Sequence, residues 1–390
     1  MNFTRGLSKN TFLLTFTSLF SDISTEMLYP LLPIFLTQTL GVSGSIVGLV
    51  EGTATATQNI VQGFSGWLAD KLHRRKPVAI AGYAISTISK PLIGFATNWQ
   101  GVFVPRFADR FGVGTRSAPR DALIAASATE ENRGKAFGME GIGDNLGAFL
   151  GPLLAVILLF VFALQIRQIF YLAAIPGVLS LIMILLVKEN VGEFKAKAKL
   201  EANLHKFPRE YYKYLAVTAV FGLGNISTSF MILQTKNIGI PLIGTILIYA
   251  AVNLVAALVS FPSGALSDKL GRKKLLLFSF AVLILVFLGF ASSRNIFLIA
   301  FLFALYGVYQ GIFRATGKAF ATDFVSQELR ASSVGWYNTV VGLTALAASL
   351  IAGQFYDKIG PSSLFLVAAG FVVLGGISLL FIHENHSTSS

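Results

Sequence analysis

The sequence predicts an all-α membrane protein with twelve transmembrane helices arranged as two six-helix halves. The chain has 390 residues, of which 54% are hydrophobic and only 13% are charged, and its mean hydropathy is +0.68. A soluble protein of this size could not bury so much apolar sequence. Apolar runs long enough to cross a bilayer recur along the whole chain, and the first half resembles the second in sequence.

Each predicted helix is an apolar run of about 20 residues or more, the length that crosses a hydrocarbon layer of ~30 Å at ~1.5 Å per residue. In chain order the runs are residues 11–37, 43–70, 77–98, 101–122, 134–162, 167–187, 211–236, 241–268, 274–293, 295–319, 331–357 and 360–382. The longest polar interruption, "KENVGEFKAKAKLEANLHKFPRE" at 188–210, is rich in lysine. We interpret it as a cytoplasmic linker between an N-terminal bundle, residues 1–187, and a C-terminal bundle with a short cytoplasmic tail, residues 211–390.

The distribution of lysine and arginine predicts the orientation. With the N-terminus inside, twenty of the 31 basic residues fall in cytoplasmic ends and loops, four fall in outer loops and seven lie within helices. Positive charge collects on the cytoplasmic side of membrane proteins. Both termini are therefore expected in the cytoplasm, and the net charge of +12 reflects topology rather than nucleic-acid binding. A compact chain of this kind favours the inner membrane of a bacterium.

Residue types for metal or redox chemistry are scarce. The chain has no cysteine, and its four histidines lie in loops or the tail. We therefore expect no metal site, no cofactor and no catalytic residue, and any proton-carrying group within the membrane must be a carboxyl group. A phosphate-binding loop is also missing, so ATP is not expected to drive the protein. The expected partners are a small-molecule substrate, protons and the lipid bilayer, with the chain acting as a monomer rather than an enzyme.

An internal repeat relates the two halves at an offset of 197 to 198 residues. "GWLADKLHRRK" at 66–76 matches "GALSDKLGRKK" at 264–274. Both segments resemble the loop 2–3 signature of the major facilitator superfamily. That resemblance implies two parallel bundles around a cavity lined by helices 1, 4, 7 and 10, which alternate access by rocking.

The same resemblance implies a conformational latch at the cytoplasmic ends of helices 2 and 8. The candidate latch residues are Gly66, Asp70, Arg74, Arg75, Arg120, Asp121, Gly264, Asp268, Arg272 and Lys318. The alternative is a basic loop that only sets topology. This alternative explains the lysines but does not explain the repeated aspartate.

Helix 5 contains "GAFLGPLLA" at 147–155. It resembles the GxxxGPxxG motif of proton-driven antiporters of this superfamily, although Ala155 replaces the last glycine. The resemblance implies efflux by proton antiport, with Gly147, Gly151 and Pro152 as the motif residues. Close helix packing by small residues explains the same pattern, and both interpretations stay open.

Helix 4 carries the most unusual stretch, "RFADRFGVGTRSAPRD" at 106–121. On a helix, its six charges share one arc of about 140°. Each such charge costs roughly 2.5 to 3.5 kcal/mol at the bilayer centre, so the charges should face a wet cavity or opposite charges. Pro119 is expected to break only the last turn.

Counting depth at ~1.5 Å per residue pairs these charges with acids on other helices. The predicted groups are Arg116 with Glu140, Arg110 with Asp144, Arg106 with Asp22 and Glu26, and Lys90 with Glu51 and Asp109. They are either structural ion pairs or a coupling site. The candidates for carrying the coupling proton are Asp22, Glu26, Glu51, Asp109 and Asp144.

The second half has mostly neutral polar residues within its helices. Such amide and aromatic groups suit an amphipathic organic ligand, although aromatic residues also serve packing. The predicted substrate-binding residues are Arg106, Arg110, Asn225, Tyr306, Tyr309, Gln310, Arg314, Trp336 and Asn338.

The sequence therefore predicts a secondary active transporter that moves a small organic solute by proton coupling, with efflux by antiport favoured. Proton-coupled uptake of an anionic solute, such as an organic acid or metal chelate, is the alternative within transport. A non-transporting membrane receptor or a lipid flippase is the alternative of a different class.

Overall fold

The computed structural model describes residues 6–72, 74–189 and 203–383, apart from the side chains of Asp70, Phe261, Ala265 and Asp268. All twelve predicted spans are helical, which confirms the fold class. The helices are α1 Lys9–Glu26, α2 Leu32–Ile34, α3 Gly44–Lys71, α4 Arg75–Phe95, α5 Trp99–Ala126, α6 Arg133–Phe160, α7 Ile166–Leu172, α8 Ala174–Leu186, α9 Arg209–Gly224, α10 Thr228–Asn237, α11 Leu242–Leu270, α12 Arg272–Ser292, α13 Ile296–Asp323, α14 Arg330–Lys358 and α15 Pro361–Leu380. The predicted linker lies largely outside the described residues, so its boundaries stay a prediction.

Hydropathy and length mark most of these helices as membrane spans. Within the described part of the chain, nine helical segments are long and apolar enough to cross a membrane. Large apolar side chains such as Phe278, Leu285 and Phe301 are exposed, as on a surface that faces lipid. Helix α5, which is the charged helix 4 of the sequence prediction, is not among these segments, because several charges lie within its span.

Three of the predicted spans are broken. The first consists of α1, α2 and a π-helix, Phe35–Thr39, and the seventh consists of α9 and α10. The sixth is divided between α7 and α8 at Ala173. The breaks after Glu26 in α1 and after Gly224 in α9 fall at the offset of the sequence repeat. At Ala173 the helical backbone hydrogen bonds continue, so the breaks that can free backbone polar groups in the middle of a span are those of the first and seventh spans. A ligand or a side chain can bind such groups.

Helix α5 does not break at Pro119. It begins after Asn98, whose side chain accepts a hydrogen bond from the backbone amide of Gly101, and it continues through Pro105 and Pro119 to Ala126. The prediction that Pro119 disrupts the last turn is therefore wrong. Proline removes one backbone donor, but the helix tolerates the loss and ends about two turns later.

Helix pairings repeat between the halves. In the first half α1 packs on α6 and α8, and α4 packs on α5 and α8; in the second half α9 packs on α14 and α15, and α12 packs on α13 and α15. These pairs hold the same positions in the two halves. The structure thus extends the sequence repeat to the packing of the helices.

Two compact units emerge from the contacts. The first unit contains residues 53–198 with the preceding residues to 42 and the segment 242–250 from the start of α11. The second contains residues 199–241 and 251–390 with the segment 43–52, which includes the start of α3. Segment 43–52 thus clusters with the second unit and segment 242–250 with the first. The two segments align with each other at the repeat offset.

Candidate coupling and substrate sites

Three charged residues of α5, Arg106, Asp109 and Arg110, lie in one buried cluster. Asp109 is 1% exposed and accepts a hydrogen bond from Arg106 Nη1 at 3.3 Å. Its carboxylate also lies 3.3 Å from Arg110 Nε, and it accepts a hydrogen bond of 2.6 Å from the hydroxyl of Ser86 in α4. Lys90, 2% exposed, interacts electrostatically with the same carboxylate. One acid therefore interacts with three neighbouring cations in this cluster.

Other residues extend this cluster. The guanidinium of Arg106 lies 5.6 Å from the ring centroid of Tyr29, and Arg110 Nη1 donates to Gln58 Oε1 at 3.1 Å. Within the described residues Arg110 Nη2 is buried and has no hydrogen-bond partner. Glu51 is also buried, but it belongs to the segment 43–52 of the second unit. The predicted layer of Glu51 with Lys90 and Asp109 therefore stays a prediction for Glu51.

Arg116 does not pair with Glu140 as predicted. Its guanidinium carbon lies 4.3 Å from the ring centroid of Tyr83 in α4, and its charge acts on Asp22. Arg116 is 5% exposed, and its Nη1 has no hydrogen-bond partner among the described residues. The sequence predicted Arg116 as the partner of Glu140, in an ion pair or a coupling site, whereas in the structure its charge acts on the predicted coupling acid Asp22.

Arg120 holds the position predicted for Arg116. Its Nη1 lies 3.0 Å from Glu140 Oε1 and 3.6 Å from Asp144 Oδ1, and it donates to the hydroxyl of Ser18 at 3.1 Å. Its Nη2 lies 3.0 Å from Asp121 Oδ1. Because α5 ends one turn later than the predicted residue 122, every charge near its end lies about one turn deeper than the count assumed. The predicted pairs Arg116 with Glu140 and Arg110 with Asp144 are wrong for this reason.

The charges of Asp22 in α1 and Asp144 in α6 act on each other. An ionised carboxylate only accepts hydrogen bonds, so two neighbouring carboxyl groups can bond each other only when one of them carries a proton. Two carboxylates in contact repel each other, and sharing a proton relieves that repulsion. The predicted acids Asp22, Glu140 and Asp144 thus lie near Arg116 and Arg120.

Glu26, the other acid of α1, has a partner that the sequence prediction missed. Tyr249 of α11 donates a hydrogen bond of 2.7 Å to Glu26 Oε2, and its ring stacks on Tyr29 at 5.4 Å. The internal repeat could have indicated Tyr249 as a functional position, because the offset of 198 residues aligns it with Glu51. Both positions are polar within an apolar run.

The glycine motif predicted in helix 5 lies on α6, and its glycines bring α6 against the backbone of α1. A Cβ atom at Gly147 would lie 2.5 Å from the carbonyl oxygen of Leu19 and 2.8 Å from Asp22 Cβ. A Cβ at Gly151 would lie 2.9 Å from Glu26 Cβ. The motif therefore determines how closely α6 approaches both acids of α1, and its role in antiport stays a prediction.

The predicted substrate residues of the second unit gather partly at the break between α9 and α10. The hydroxyls of Thr228 and Tyr306 lie 3.0 Å apart, and the ring centroids of Tyr306 and Tyr309 are separated by 5.6 Å. Gln310 lies one turn after Tyr306 on α13, and Asn225 lies in the break itself.

Three other predicted substrate residues differ in exposure. Asn338 is buried in α14, Trp336 is half-buried and Arg314 is exposed on α13. The charge of Arg314 acts on the tyrosines Tyr306 and Tyr309 of the same helix. The structure thus relates Arg314 to the group at the break, while a binding role for Asn338 and Trp336 stays a prediction.

The cytoplasmic latch stays a prediction, because the side chains of Asp70 and Asp268 lie outside the described part of the structure. Around it, the carboxylate of Glu189 accepts a 2.7 Å hydrogen bond from the backbone amide of Arg75 and so caps α4 next to Arg74. Arg272 donates to the carbonyl oxygen of Ala319 at 2.7 Å and pairs with Asp323. A Cβ atom at Gly66 would lie near Ala118, whereas among the described residues one at Gly264 would meet open space. The side chain of Lys318 is exposed. Arg120 and Asp121 bond each other beside Glu140 rather than at the latch.

The two helical halves, their internal repeat and the buried charges are together typical of a multi-pass membrane transporter. The sequence model of the Major Facilitator Superfamily matches residues 14–247 and 214–390. The chain therefore belongs to the major facilitator superfamily.

Individual relatives agree with this assignment. The chain is 38% identical over 387 residues to an uncharacterized MFS-type transporter, MJ1317, of Methanocaldococcus jannaschii, which covers 97% of this chain and 96% of that protein. It is 28% identical over 177 residues to the quinolone resistance protein NorA of Staphylococcus aureus, covering 45% and 44% of the two chains. The fold is similar to a crystal structure of a mutant of the nucleoside transporter NupG, with a TM-score of 0.80, 15% identity and coverage of 96% and 100%.

Proposed function

We propose that this transporter moves a small organic solute by alternating access coupled to protons, and that it exports the solute in exchange for protons. The observation that carries the proposal is the grouping of Asp22 with Asp144 and Glu140 beside the arginines of α5. A pair of carboxyl groups that shares a proton is a site from which a proton can be gained or lost without other chemistry.

The arginines of α5 give this pair a way to respond to a substrate. Arg120 already contacts Asp144, and the charge of Arg116 acts on Asp22. Loss of the shared proton leaves two like charges, which nearby guanidinium groups stabilise. A cationic or neutral solute and a proton would then compete for the same group of acids, as antiport requires.

The polar residues of the second unit supply the proposed solute contacts. The broken helix at α9 and α10, the hydroxyls of Thr228 and Tyr306 and the ring of Tyr309 offer hydrogen bonds beside aromatic surface. These groups bind an organic molecule by shape and hydrogen bonding. NorA carries a quinolone-resistance function in its name, so a fluoroquinolone is a rational first probe.

A second candidate function is proton-coupled uptake of an anionic solute. Arg110 Nη2 and Arg116 Nη1 are buried and have no hydrogen-bond partner among the described residues. A buried guanidinium with an unused donor is a favourable site for a carboxylate or phosphate. Arg116→Gln would then weaken binding of succinate, whereas it would leave binding of uridine, which has no acidic group at neutral pH, unchanged.

Flux measurements test the main proposal. The purified protein is screened by thermal shift with a fluoroquinolone, uridine and succinate, and the compound that stabilises it is then followed in proteoliposomes with and without a pH gradient. We expect Asp22→Asn and Asp144→Asn each to remove the response of flux to the gradient while binding persists. Glu328→Gln, an exposed acid before α14, is the matched control and should behave as the parent protein.

Two results contradict the proposal. Flux that ignores the pH gradient in the parent protein removes proton coupling. Loss of binding in Asp22→Asn with coupling intact assigns Asp22 to the solute instead. The proposed location, a bacterial inner membrane with both termini in the cytoplasm and a monomeric chain, is tested by reporter fusions at each terminus and by the mass of the purified protein in detergent.

A further inference from the structure

Tyr249 links the start of α11 to an acid of α1. Its hydroxyl donates to Glu26 Oε2 at 2.7 Å, and its ring stacks on Tyr29 with 14° between the ring planes. The contact unites positions 223 residues apart in sequence. Tyr249 is thus anchored by a polar and an aromatic interaction with the same broken helix.

The segment that contains Tyr249 differs in its contacts from the rest of its helix. Residues 242–250 cluster with the first unit, whereas α11 from residue 251 onward clusters with the second. One face of the segment is almost fully buried, with Thr245, Ile246, Tyr249 and Ala250 exposed by 5% or less. Tyr249 therefore lies in the part of α11 that clusters with the first unit, next to the point where the helix passes to the second.

The strength of the Tyr249 bond depends on the charge of Glu26. A hydrogen bond to an ionised carboxylate is roughly twice as strong as one to a neutral acceptor. Charged and titratable groups near Glu26 include Asp22, one turn earlier on α1, and Tyr249 itself. Arg106 of α5 lies over the ring of Tyr29, which stacks on Tyr249. On the side of α6, the residue that faces Glu26 Cβ is Gly151, which has no side chain to titrate.

We propose that Tyr249 is a positioning residue that ties the α11 segment 242–250 to the protonation state of Glu26. The segment is held while Glu26 is ionised and is released when Glu26 takes up a proton. This inference rests on the proposed proton coupling and adds to it a physical connection between the acid and a helix that enters both units.

Cysteine labelling of the full-length protein tests this connection without knowledge of the substrate. The chain has no cysteine, so Thr245→Cys introduces a single thiol at a position that is 1% exposed. Its reaction with N-ethylmaleimide in detergent is measured at pH 8 and pH 5.5, relative to Arg294→Cys, an exposed thiol that reports the effect of pH on the chemistry. We expect labelling of Thr245→Cys to be about tenfold faster at pH 5.5, as loss of one charge-assisted hydrogen bond implies.

Removal of the hydroxyl should reproduce the effect of protonation. With Tyr249→Phe added, we expect labelling at pH 8 to rise about tenfold and to change less than twofold with pH. Glu26→Gln should give the same result by a different route. The matched control is Tyr171→Phe, which loses a 2.9 Å hydrogen bond to the carbonyl oxygen of Gly94 elsewhere in the first unit and should label as the parent does.

The outcomes distinguish this inference from the proposed function. If Tyr249→Phe retains slow labelling and the pH response of its parent, the inference fails, even where Asp144→Asn still abolishes gradient-driven flux. If labelling of Thr245→Cys ignores pH, the link to Glu26 protonation fails as well. A pH response that Tyr249→Phe and Glu26→Gln both remove supports the inference.

Discussion

The carboxylate of Asp357, near the end of α14, caps the first turn of α3 through Ser45. Asp357 Oδ2 accepts 2.8 Å and 2.5 Å hydrogen bonds from the backbone amide and the hydroxyl of Ser45, and Oδ1 accepts a 2.8 Å bond from the amide of Gly44. The amides of a first turn have no partner within their own helix. An acid 312 residues away in sequence provides one here.

Removal of this cap should destabilise the protein. We expect Asp357→Ala to lower the free energy of unfolding by about 1 to 2 kcal/mol, because two amides lose an ionised acceptor at a helix N-terminus. Asp357→Asn should cost less, since its amide oxygen still accepts a hydrogen bond. Thermal unfolding of the purified protein in detergent measures both changes.

Two further variants make this prediction specific. Glu328→Ala removes an exposed acid from the segment before α14 and should leave stability unchanged. Ser45→Ala and Asp357→Ala should together cost less than the sum of their separate effects, because they share a hydrogen bond. Full additivity would show that Asp357 does not act through Ser45.

The glycines of α6 offer a comparison within one helix. Gly147→Ala would place a Cβ atom 2.5 Å from the Leu19 carbonyl oxygen, so α1 and α6 must separate. We expect lower thermal stability and a loss of proton-driven flux of at least tenfold, since the separation displaces Asp22. Flux and thermal unfolding are measured on the same preparation.

Gly141→Ala is the control for this effect. Among the described residues no atom lies within 4 Å of a Cβ at Gly141. The substitution should be neutral or stabilise by up to about 1 kcal/mol, because alanine has the higher helix propensity. Equal loss of activity in both variants would contradict a role for close packing at Gly147.

The sequence was sufficient for the helices but not for their charge pairs. Twelve apolar runs and the repeat offset predicted the fold, because bilayer thickness restricts span length and backbone satisfaction requires helices. The pairing of charges required depths accurate to a single turn. Helix α5 extends to Ala126 rather than residue 122, and this error of one turn exchanged Arg116 for Arg120 as the partner of Glu140.

Contacts of distant segments were also beyond the reach of sequence patterns. Tyr249 looks like one aromatic residue in an apolar run, and Asp357 looks like an ordinary polar residue at a helix end. Their roles depend on which units the starts of α3 and α11 join, and periodicity contains no information about that. The repeat offset alone could have pointed to Tyr249, through its alignment with Glu51.

The ion pair between Arg120 and Glu140 can be tested directly by mutation. It replaces the predicted pair of Arg116 with Glu140. The two side chains are 17% and 10% exposed and lie 3.0 Å apart. Breaking such a pair leaves the remaining charge buried without compensation. We expect Arg120→Gln to lower the free energy of unfolding by about 3 kcal/mol, and Arg120→Gln with Glu140→Gln to recover part of that loss.

A second cycle separates the two possible pairings. Arg116→Gln and Glu140→Gln should have additive effects on stability, because Arg116 lies on the ring of Tyr83 rather than on the acid. Coupling between Arg116 and Glu140 with none between Arg120 and Glu140 would restore the pairing that depth counting suggested. The expected result is the reverse, because Arg120 alone of these two arginines contacts Glu140, the Ser18 hydroxyl and Asp144 together.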